Sequence, residues 1–520
     1  MRREEMVRRV RERAQQQKPW DIAIIGGGAT GVGVAVDAAA RGFDVVLIEA
    51  HDFGKGTSSR STKLVHGGVR YLEQGNVPLV MSALKERGLL RRNAPHLVHD
   101  LAFVVPNYSW WEAPFYGIGL KLYDLLAGKY GFGTSKLLTR EETLERLPAL
   151  EPEELRGGVI YYDGQFDDAR LLIHLAMTAA DHDATLVNYC PATGLTRDDE
   201  GYINGVSARD EETGEEFAIP ARVVVNATGV FTDSIRRMAD ESVDPLVVTS
   251  QGIHLVFDRS FLKSDTALMV PRTSDGRVLF VIPWHEHAVA GTTDTPLDAP
   301  CLEPRALDEE IEFILETAGR YLSRPPSRKD VLAVYVGLRP LVKGEGKTAA
   351  LSRDHIIHVD TSGLLTITGG KWTTYRHMAE DCVDHAITLG RLRDEPCPTH
   401  TLRIHGYLQD SDTLEGLGVY GSDAEEIRAL AQDPKLAVQL HPDLPYVAAE
   451  VVWAARAEMA RTVEDVLARR TRALFLNAGA ASAMAEPVAA LLATGLGRNE
   501  TWVAEQIKTF RALAEQYQVV

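Results

Sequence analysis

A glycine-rich turn between two apolar segments near the N-terminus constrains the fold of this chain more than any other feature. DIAIIGGG (21–28) and DVVLIEA (44–50) predict strands, and GGGATG (26–31) opens a short Ala-rich helix between them. The glycines allow backbone N–H groups to approach a pyrophosphate, and the helix N-terminus adds positive partial charge. The sequence therefore predicts a βαβ unit that binds a dinucleotide. The alternative is a glycine-rich turn with only a structural role.

An acidic residue follows at the spacing that ribose recognition requires. Glu49 ends the second predicted strand 18 residues after Gly31, where its carboxylate can accept a hydrogen bond from a ribose 2′-OH. The same negative charge disfavours NADP, since it would repel the 2′-phosphate. The GGGATG turn and Glu49 alone do not show whether the dinucleotide is FAD or NAD.

Size and charge exclude several classes of protein. The 520 residues exceed what one hydrophobic core supports, so we expect several domains. The chain is 45% hydrophobic and 25% charged, which excludes disordered and fibrous classes. Its formal net charge of −17 disfavours nucleic acid as a partner, because a phosphate backbone favours a basic surface.

Cysteine usage and hydropathy suggest a compartment. The four cysteines form no C-x-x-C pair, so we expect no disulfide framework, no bound metal and a reducing environment. The N-terminal segment lacks the apolar region of a signal peptide, and no run of about 18 apolar residues occurs. We expect a cytosolic protein or one that lies on a membrane face.

Two later segments favour FAD over NAD. RVVVNATGV (222–230) and LLTITGGKWTTYRHMAE (364–380) each read as a strand running into a glycine turn. In glutathione-reductase-like flavoproteins, segments of this kind return to the nucleotide domain and meet the FAD, and a helix N-terminus beside the flavin stabilises its anionic reduced form. The alternative is a sheet strand and helix with no cofactor contact.

The predicted fold class is α/β, with a glutathione-reductase-like FAD-binding Rossmann domain assembled from separated segments, an α+β substrate domain and a C-terminal helical domain. A change to Ala-, Arg- and Glu-rich helical sequence after about residue 391 marks the last of these. The predicted boundaries are a basic N-terminal arm (1–18), the FAD-binding domain (19–65, 145–229 and 331–390), the substrate and membrane-facing domain (66–144 and 230–330) and the helical domain (391–520).

The segment GTSSRSTKLVHGGVRYLEQG (56–75) is rich in hydrogen-bond donors. Its hydroxyls and backbone amides could line a pyrophosphate and a flavin, and the glycines after His66 would allow close approach of the backbone to the ring system. The predicted cofactor-binding residues are Gly26, Gly28, Ala29, Thr30, Gly31, Glu49, Thr57, Ser58, Ser59, Thr62, Lys63, His66, Gly67, Gly68, Ala227, Thr228, Gly229, Gly370, Lys371 and Thr373.

The chain resembles the FAD-dependent, quinone-linked glycerol-3-phosphate dehydrogenases over about residues 20–390, and its helical tail resembles that family's C-terminal domain. The motifs that carry the resemblance, in order, are GGGATG (26–31), TSSRSTKLVHGGVRYLE (57–73), DDARL (167–171), NATG (226–229), FVIPW (280–284), GTTD (291–294), GLRPL (337–341), SRDH (352–355) and GGKWTTYR (369–376). The resemblance implies oxidation of sn-glycerol 3-phosphate to dihydroxyacetone phosphate, with electrons passed from FAD to a membrane quinone.

The substrate that this resemblance implies is a dianion, so its site needs cations. Arginine suits a phosphate because its planar fork donates two parallel hydrogen bonds. The residues at family positions that hold substrate are Arg70, Tyr71, His254, Arg339, Arg353 and Lys371. The alternative for an arginine is a solvated surface residue, which the apolar neighbours of Arg339 disfavour.

Removal of the hydroxyl proton calls for a base. His254, in the apolar segment QGIHLVF, aligns with a histidine that the family places beside substrate, and we expect His254, Arg339 and Lys371 to take part in catalysis. The alternatives are a core histidine at 254 and His66 as the base, although the setting of His66 suggests flavin contact.

An amphipathic segment predicts membrane contact. SWWEAPFYGIGLKLYDLLAG (109–128) places Ile118, Leu122, Leu125 and Leu126 on one helical face beside aromatic residues and lysines, as in a helix that lies in the membrane interface. The alternative is a helix packed on its own domain. The basic arm could assist on anionic lipid, although such arms are more often frayed.

We therefore expect a flavoenzyme attached to the cytoplasmic face of the cell membrane, with a homodimer also compatible with the sequence. Three rivals stay open: an oxidase that uses O₂ and releases H₂O₂, an amine or amino-acid oxidase, and a non-catalytic flavin-binding scaffold.

Overall fold

The computed structural model describes residues 1–68, 76–109, 112–271, 273, 277–343 and 354–519. Three residues predicted to bind substrate, Arg70, Tyr71 and Arg353, and the two tryptophans of the amphipathic segment, Trp110 and Trp111, lie outside the described residues.

The first sheet has eight strands: β1 (Trp20–Ile25), β2 (Val45–Ile48), β7 (Thr185–Val187), β8 (Ala192–Arg197), β9 (Ile203–Arg209), β10 (Glu216–Asn226), β17 (His355–Val359) and β18 (Leu365–Gly369). Its centre is parallel in the order β17-β18-β10-β1-β2-β7, apart from the antiparallel edge pair β17–β18. Its central strands are buried on both faces, which explains their near-continuous apolar sequence. The helices packed on this sheet are α2 (Ala29–Ala40), α6 (Asp168–Asp181) and α9 (Tyr375–Gly390).

The second sheet has ten strands. They are β3 (Leu64–Val65), β4 (Val98–Asn107), β5 (Lys136–Thr139), β6 (Gly157–Phe166), β11 (Val247–Asp258), β12 (Ala267–Val270), β13 (Leu279–Trp284), β14 (His287–Gly291), β15 (Thr295–Leu297) and β16 (Val331–Val342). Alternate residues face opposite sides, so Phe103 packs toward the C-terminal helices and Val104 toward helix α8 (Asp308–Gly319). The other helices of this half are α3 (Val77–Asn93), α4 (Glu112–Ala127) and α5 (Arg140–Arg146), whereas α7 (Thr232–Ala239) packs on the first sheet with Ile235 in its core.

Three segments that are predicted to belong to the FAD-binding domain lie in the second sheet, namely residues 64–65, 157–166 and 331–342. There β3 pairs with β6, β6 also pairs with β4, and β16 pairs with β11. An apolar run shows that a strand is buried but does not show which partner it has, so sequence could not assign these three strands.

The N-terminal arm is a docked helix and not a frayed tail. Helix α1 (Arg3–Gln15) buries Met6, Val7 and Val10 in the core of the first sheet. The Arg3 guanidinium forms a buried ion pair with Asp210 at 2.5 Å. Most other cations of the arm pair with carboxylates, as Arg11 does with Glu215. This arrangement gives no support to a lipid-binding role for the arm.

The C-terminal domain is helical, as predicted, apart from the small hairpin of β19 (Gln439–His441) and β20 (Leu444–Val447). Its helices are α10 (Ala424–Leu430), α11 (Ala448–Ala457), a π-helical turn (Asp465–Arg470), α12 (Ala473–Leu476), α13 (Ala478–Leu496) and α14 (Glu500–Glu515). Apart from α10, whose Ala424 and Ile427 lie in a separate small apolar cluster, they share one apolar core with the second sheet.

Within the described residues, one helix is long and apolar enough to cross a membrane by length and composition, namely α13. It contains Glu486 and Pro487, and Met484, Val488 and Leu492 are fully buried against the second sheet and neighbouring helices. This burial is typical of a core helix.

Candidate active site

A cavity of about 690 Å³ lies between the two sheets. One side, called here the glycine wall, consists of residues 26–30, 227–229 and 369–373 of the first sheet and its turns. The opposite side, called the side-chain wall, consists of His254, residues 292–294 and Arg339. The rim loop (residues 49–62) runs along both walls.

The glycine wall depends on close backbone approach. Gly26 has a φ of +114°, and a Cβ there would lie 2.6 Å from the Ala227 carbonyl oxygen. A Cβ at Gly31 would overlap the Gly26 carbonyl oxygen. Helix α2 starts directly behind this turn, and the Ala29 N–H donates to Ser58 Oγ at 2.9 Å. A narrow turn that aims helix N–H groups into a long cavity fits a pyrophosphate.

The Glu49 carboxylate lies at the end of β2, where the sequence places the ribose acceptor. It accepts hydrogen bonds from the Gly27 N–H at 2.6 Å and the His51 N–H at 2.9 Å, and it lines the cavity. Burial raises the pKa of Glu49, and the two backbone donors act in the opposite direction. Its contact with a ribose stays a prediction.

The second glycine segment meets the rim loop. The Trp372 indole N–H donates to the Ser58 carbonyl oxygen at 2.8 Å, and the His66 N–H donates to Thr373 Oγ1 at 3.2 Å. Gly370 and Lys371 line the cavity beside them. The structure therefore brings together the three distant glycine segments that the sequence analysis singled out.

Four predicted cofactor residues lie behind the cavity lining: Gly31, Ser59, Lys63 and Gly67. The Lys63 ammonium is fully buried and donates to both Asp168 carboxylate oxygens, at 2.8 and 2.9 Å, and to the Ser59 carbonyl oxygen at 2.7 Å. Burial lowers the pKa of Lys63, and Asp168 opposes that shift. We therefore assign Lys63 a structural role beneath the cavity. The other predicted cofactor residues line it.

Arg339 is oriented by a set of oxygen acceptors on the side-chain wall. Its Nη2 donates to the Thr293 carbonyl oxygen at 2.8 Å and to Thr292 Oγ1 at 3.0 Å, and its Nη1 lies 3.3 Å from Asp294 Oδ1. Its side chain is 22% exposed, and it lines the cavity. The interpretation of Arg339 as an ordinary solvated surface residue is wrong.

His254 is a buried, neutral imidazole on the same wall. Its Nε2 lies 2.9 Å from Thr62 Oγ1, and its ring stacks on Tyr335 with centroids 4.7 Å apart, because the β11–β16 register places these two residues opposite each other. Burial holds the pKa of His254 well below its usual value, and Lys63 and Arg339 lower it further. The Nδ1 atom is buried and has no hydrogen-bond partner within the described part of the chain.

The residues that hold Arg339 are not among the predicted site residues. Thr292 and Asp294 belong to the GTTD motif, but no role was assigned to them. Glu310 of α8 accepts from Thr293 Oγ1 and Thr295 Oγ1, both at 2.7 Å, and so fixes this loop from behind. The GTTD motif could have indicated a functional role for this loop, whereas no local sequence pattern distinguishes Glu310 from other acidic residues.

Outside the cavity, Glu380, Cys397 and His400 place their ligand atoms within 4.8 Å of one another. The Arg376 guanidinium already donates to Glu380 at 2.9 Å and lies 3.7 Å from the Cys397 sulfur. Burial and the hydrogen bond to Asp37 raise the pKa of the Cys397 thiol to about 11. A neutral thiol beside a guanidinium is a poor metal ligand.

Comparison with known proteins identifies the family. The profile of the FAD dependent oxidoreductases matches residues 21–376, and that of the C-terminal domain of alpha-glycerophosphate oxidase matches residues 365–503. A probable mitochondrial glycerol-3-phosphate dehydrogenase of Caenorhabditis elegans is 42% identical over 95% of this chain and 73% of its own length. The chain belongs to the FAD-dependent glycerol-3-phosphate dehydrogenase family.

Other members of the family agree with this assignment. A mitochondrial glycerol-3-phosphate dehydrogenase of Arabidopsis thaliana is 41% identical over 92% of this chain and 84% of its own length. The crystal structure of the glycerol-3-phosphate dehydrogenase of Bacillus halodurans, complexed with FAD, has a TM-score of 0.79 and 30% identity over 98% of this chain and 97% of that chain. The predicted fold class, the FAD cofactor and the resemblance to this family are confirmed.

Proposed function

We propose that the protein oxidises sn-glycerol 3-phosphate to dihydroxyacetone phosphate and passes the electrons to a membrane quinone. The observation that carries this proposal is the side-chain wall, where a neutral histidine and an oriented guanidinium face the same cavity as the glycine wall. FAD, when bound, accepts a hydride from C2 of the substrate. The family names of the relatives support the substrate.

His254 is the proposed base. The imidazole of His254 would take the proton of the C2 hydroxyl, and the C2–H bond electrons would leave as hydride to the bound FAD, so that a C=O bond forms and the charges balance. A neutral imidazole is required for this step, and burial keeps His254 in that form at physiological pH. Thr62 and Tyr335 hold the ring in place.

Arg339 is the proposed phosphate ligand. The acceptors on Thr292, Thr293 and Asp294 fix the plane of its guanidinium, so that its fork is oriented before substrate arrives. Lys371, on the glycine wall, also lines the cavity and is proposed to support substrate binding. Arg70, Tyr71 and Arg353 stay predicted ligands.

Helix α4 is the proposed membrane contact. Phe115, Ile118, Leu122 and Leu125 recur every three or four residues and are 51%, 74%, 44% and 76% exposed. Lys121, Lys129 and Lys136 are exposed on and near the helix, as expected for binding to anionic lipid. A core helix would bury this apolar face. We propose attachment to the inner face of the cell membrane.

The membrane proposal is tested by the double variant Leu122→Ser/Leu125→Ser. We expect it to lose co-sedimentation with anionic vesicles while its melting temperature and dye-linked activity stay nearly unchanged. Leu120 of the same helix is only 3% exposed, so the control Leu120→Ser should lower the melting temperature through a loss of about 2–5 kcal/mol. Unchanged vesicle binding by the double variant would contradict the proposal.

The reaction itself is tested by anaerobic mixing of the flavin-loaded enzyme with glycerol 3-phosphate. We expect bleaching of the oxidised flavin absorbance, with glycerol and lactate as inactive controls. An absence of bleaching would favour the alternative of a non-catalytic flavin-binding scaffold. Bleaching by amino acids without competition from inorganic phosphate would favour an amino-acid oxidase.

The acceptor is tested separately. We expect faster turnover with a soluble quinone than with O₂ and little H₂O₂. The match of the tail to the domain named for alpha-glycerophosphate oxidase makes the peroxide measurement necessary. Stoichiometric H₂O₂ would establish the oxidase alternative.

A further inference from the structure

The rim loop is held from outside by the C-terminal helical domain. The loop connects β2 to β3 and contains one short helical turn, Thr57–Ser59, but no strand. The Asp52 side chain within it is fully buried. Its Oδ2 accepts from Arg469 Nε and Arg470 Nη1, both at 2.6 Å, and its Oδ1 accepts from Arg470 Nη2 at 2.9 Å.

A second contact lies three residues further along the loop. The Lys55 ammonium donates to both carboxylate oxygens of Glu464 at 2.6 Å, and Lys55 lines the cavity. Glu464 in turn accepts from Arg469 Nη1 at 2.8 Å. Asp52 and Lys55 are thus both tied to one turn of the C-terminal domain, residues 464–470.

A third contact reaches the far end of the loop. The Arg60 guanidinium pairs with Glu303 at 2.8 Å, and the Tyr517 hydroxyl donates to the same Glu303 oxygen at 3.2 Å. The Tyr517 carbonyl oxygen accepts from the Val334 N–H of β16 at 2.8 Å, which fixes the chain at this point. The C-terminal domain therefore contacts the loop directly at Asp52 and Lys55 and reaches Arg60, near the far end of the loop, through Glu303.

The charges on these groups persist at physiological pH. Burial alone would raise the pKa of both carboxyls, but Arg470 and Arg469 hold the pKa of Asp52 at about 2, and Arg469 and Lys55 hold that of Glu464 at about 2. A buried ion pair of this kind adds little net stability, but removal of one partner leaves the other charge buried and uncompensated.

We infer that the C-terminal helical domain acts as a clamp on the FAD site, holding the rim loop in the conformation that retains FAD through Glu464, Arg469, Arg470 and Tyr517. These four are positioning residues, since they act through Asp52, Lys55 and Arg60. The inference rests on FAD binding in the cavity and not on the proposed substrate, so it is tested without substrate turnover.

The chain offers a matched control. Arg461 of the C-terminal domain pairs with Glu212 at 2.5 and 2.7 Å, and Arg498 also donates to Glu212 at 2.8 Å. This ion pair joins the same two domains but touches neither the cavity lining nor the rim loop. Loss of the Glu212 charge therefore removes an inter-domain contact of similar exposure without releasing the loop.

The experiment compares Glu464→Gln with Glu212→Gln in the full-length chain. Apoprotein is titrated with FAD and the quenching of flavin fluorescence is followed, and hydrogen exchange of the 49–62 segment is measured on the holoenzyme. We expect Glu464→Gln to raise the FAD dissociation constant at least tenfold and to speed exchange in this segment, with Glu212→Gln within twofold of wild type in both measurements.

Two results would overturn the clamp. One is equal loss of FAD affinity in the two variants, which would indicate general loosening of the domain interface. The other is unchanged FAD affinity in Glu464→Gln. If Glu464→Gln does not fold, Tyr517→Phe, which removes only the hydroxyl bonded to Glu303, is measured in the same way, and wild-type FAD affinity and exchange in that variant would also contradict the clamp.

Discussion

The two walls of the cavity differ in what builds them. The glycine wall is formed by backbone in short contiguous segments, such as residues 26–30 and 369–373, whose shape follows from local sequence. The side-chain wall is formed by single residues of β11, β16 and the loop after β14, which only long-range strand pairing brings together. The first wall therefore tolerates no added atoms, whereas the second tolerates no change of chemical group.

The largest expected effect is on the side-chain wall. His254→Asn keeps a polar side chain but removes the base, so we expect kcat to fall by about 10²–10⁴-fold with FAD content unchanged. His182, which is exposed and does not line the cavity, provides the control His182→Asn. Stopped-flow flavin reduction checks this, and a fall of less than fivefold would remove His254 from the role of base.

The pH profile of the wild type sharpens the same prediction. A base works only when neutral, and burial lowers the pKa of His254 well below about 6.5, the ordinary value for histidine. Flavin reduction should therefore stay constant as the pH falls through 6.5 and decline only at more acid pH. A half-maximal point at or above 6.5 would contradict a buried neutral base.

Arg339→Lys should have the next largest effect, on substrate binding. A lysine keeps the charge but loses the planar fork, and the loss of one charged hydrogen bond of about 1.5–3 kcal/mol raises KM by roughly 10–150-fold. Steady-state kinetics with a soluble dye measures the change. If KM and kcat both stay within twofold, Arg339 does not bind the phosphate.

On the glycine wall, Gly31→Ala adds one methyl group where a Cβ overlaps the Gly26 carbonyl oxygen. Overpacking costs about 1–3 kcal/mol, so the FAD dissociation constant should rise by roughly 5–150-fold. Gly119 in α4 has open space within 4 Å, and Gly119→Ala is the matched control. Normal FAD retention in Gly31→Ala would show that the backbone of the glycine wall can shift to accommodate an added methyl group.

The smallest effect is expected for Glu49→Gln. The amide leaves one oxygen to accept from the Gly27 and His51 N–H groups, and the loss of one hydrogen bond of about 0.5–1.5 kcal/mol weakens FAD binding by roughly 2–12-fold. Retention of FAD through dialysis measures this. The substrate dissociation constant of the remaining holoenzyme should not change.

The contrast between the walls also explains what could be predicted from sequence. The GGGATG turn and the acidic residue at 49 could be predicted because each depends on neighbours in the chain. The return of the NATG and GGK segments, which follow β10 and β18, was predicted only from the resemblance to known flavoproteins, because it depends on long-range strand pairing. The placement of β6 and β16, the buried pair of Lys63 with Asp168 and the support of Arg339 by Glu310 depend on contacts more than 15 residues apart in sequence. Hydrophobic periodicity does not encode such partners.

The exposed face of α4 is an intermediate case. Its periodicity predicted an apolar face, and only the structure shows that this face is exposed and not packed on the second sheet. In α13 a similarly apolar sequence is buried. Composition alone does not distinguish a helix whose apolar face is exposed from a helix whose apolar face lies in the protein core.

The separation of Lys55 from Glu464 has a consequence for synthesis of the chain. Their ion pair joins residues 409 positions apart, so the turn that holds the rim loop leaves the ribosome long after the GGGATG segment. At about 5–20 residues per second, that interval lasts roughly 20–80 s. During this time the nascent chain carries the dinucleotide fingerprint without the partners of its loop, and stable uptake of FAD is therefore a late event that follows translation of the tail.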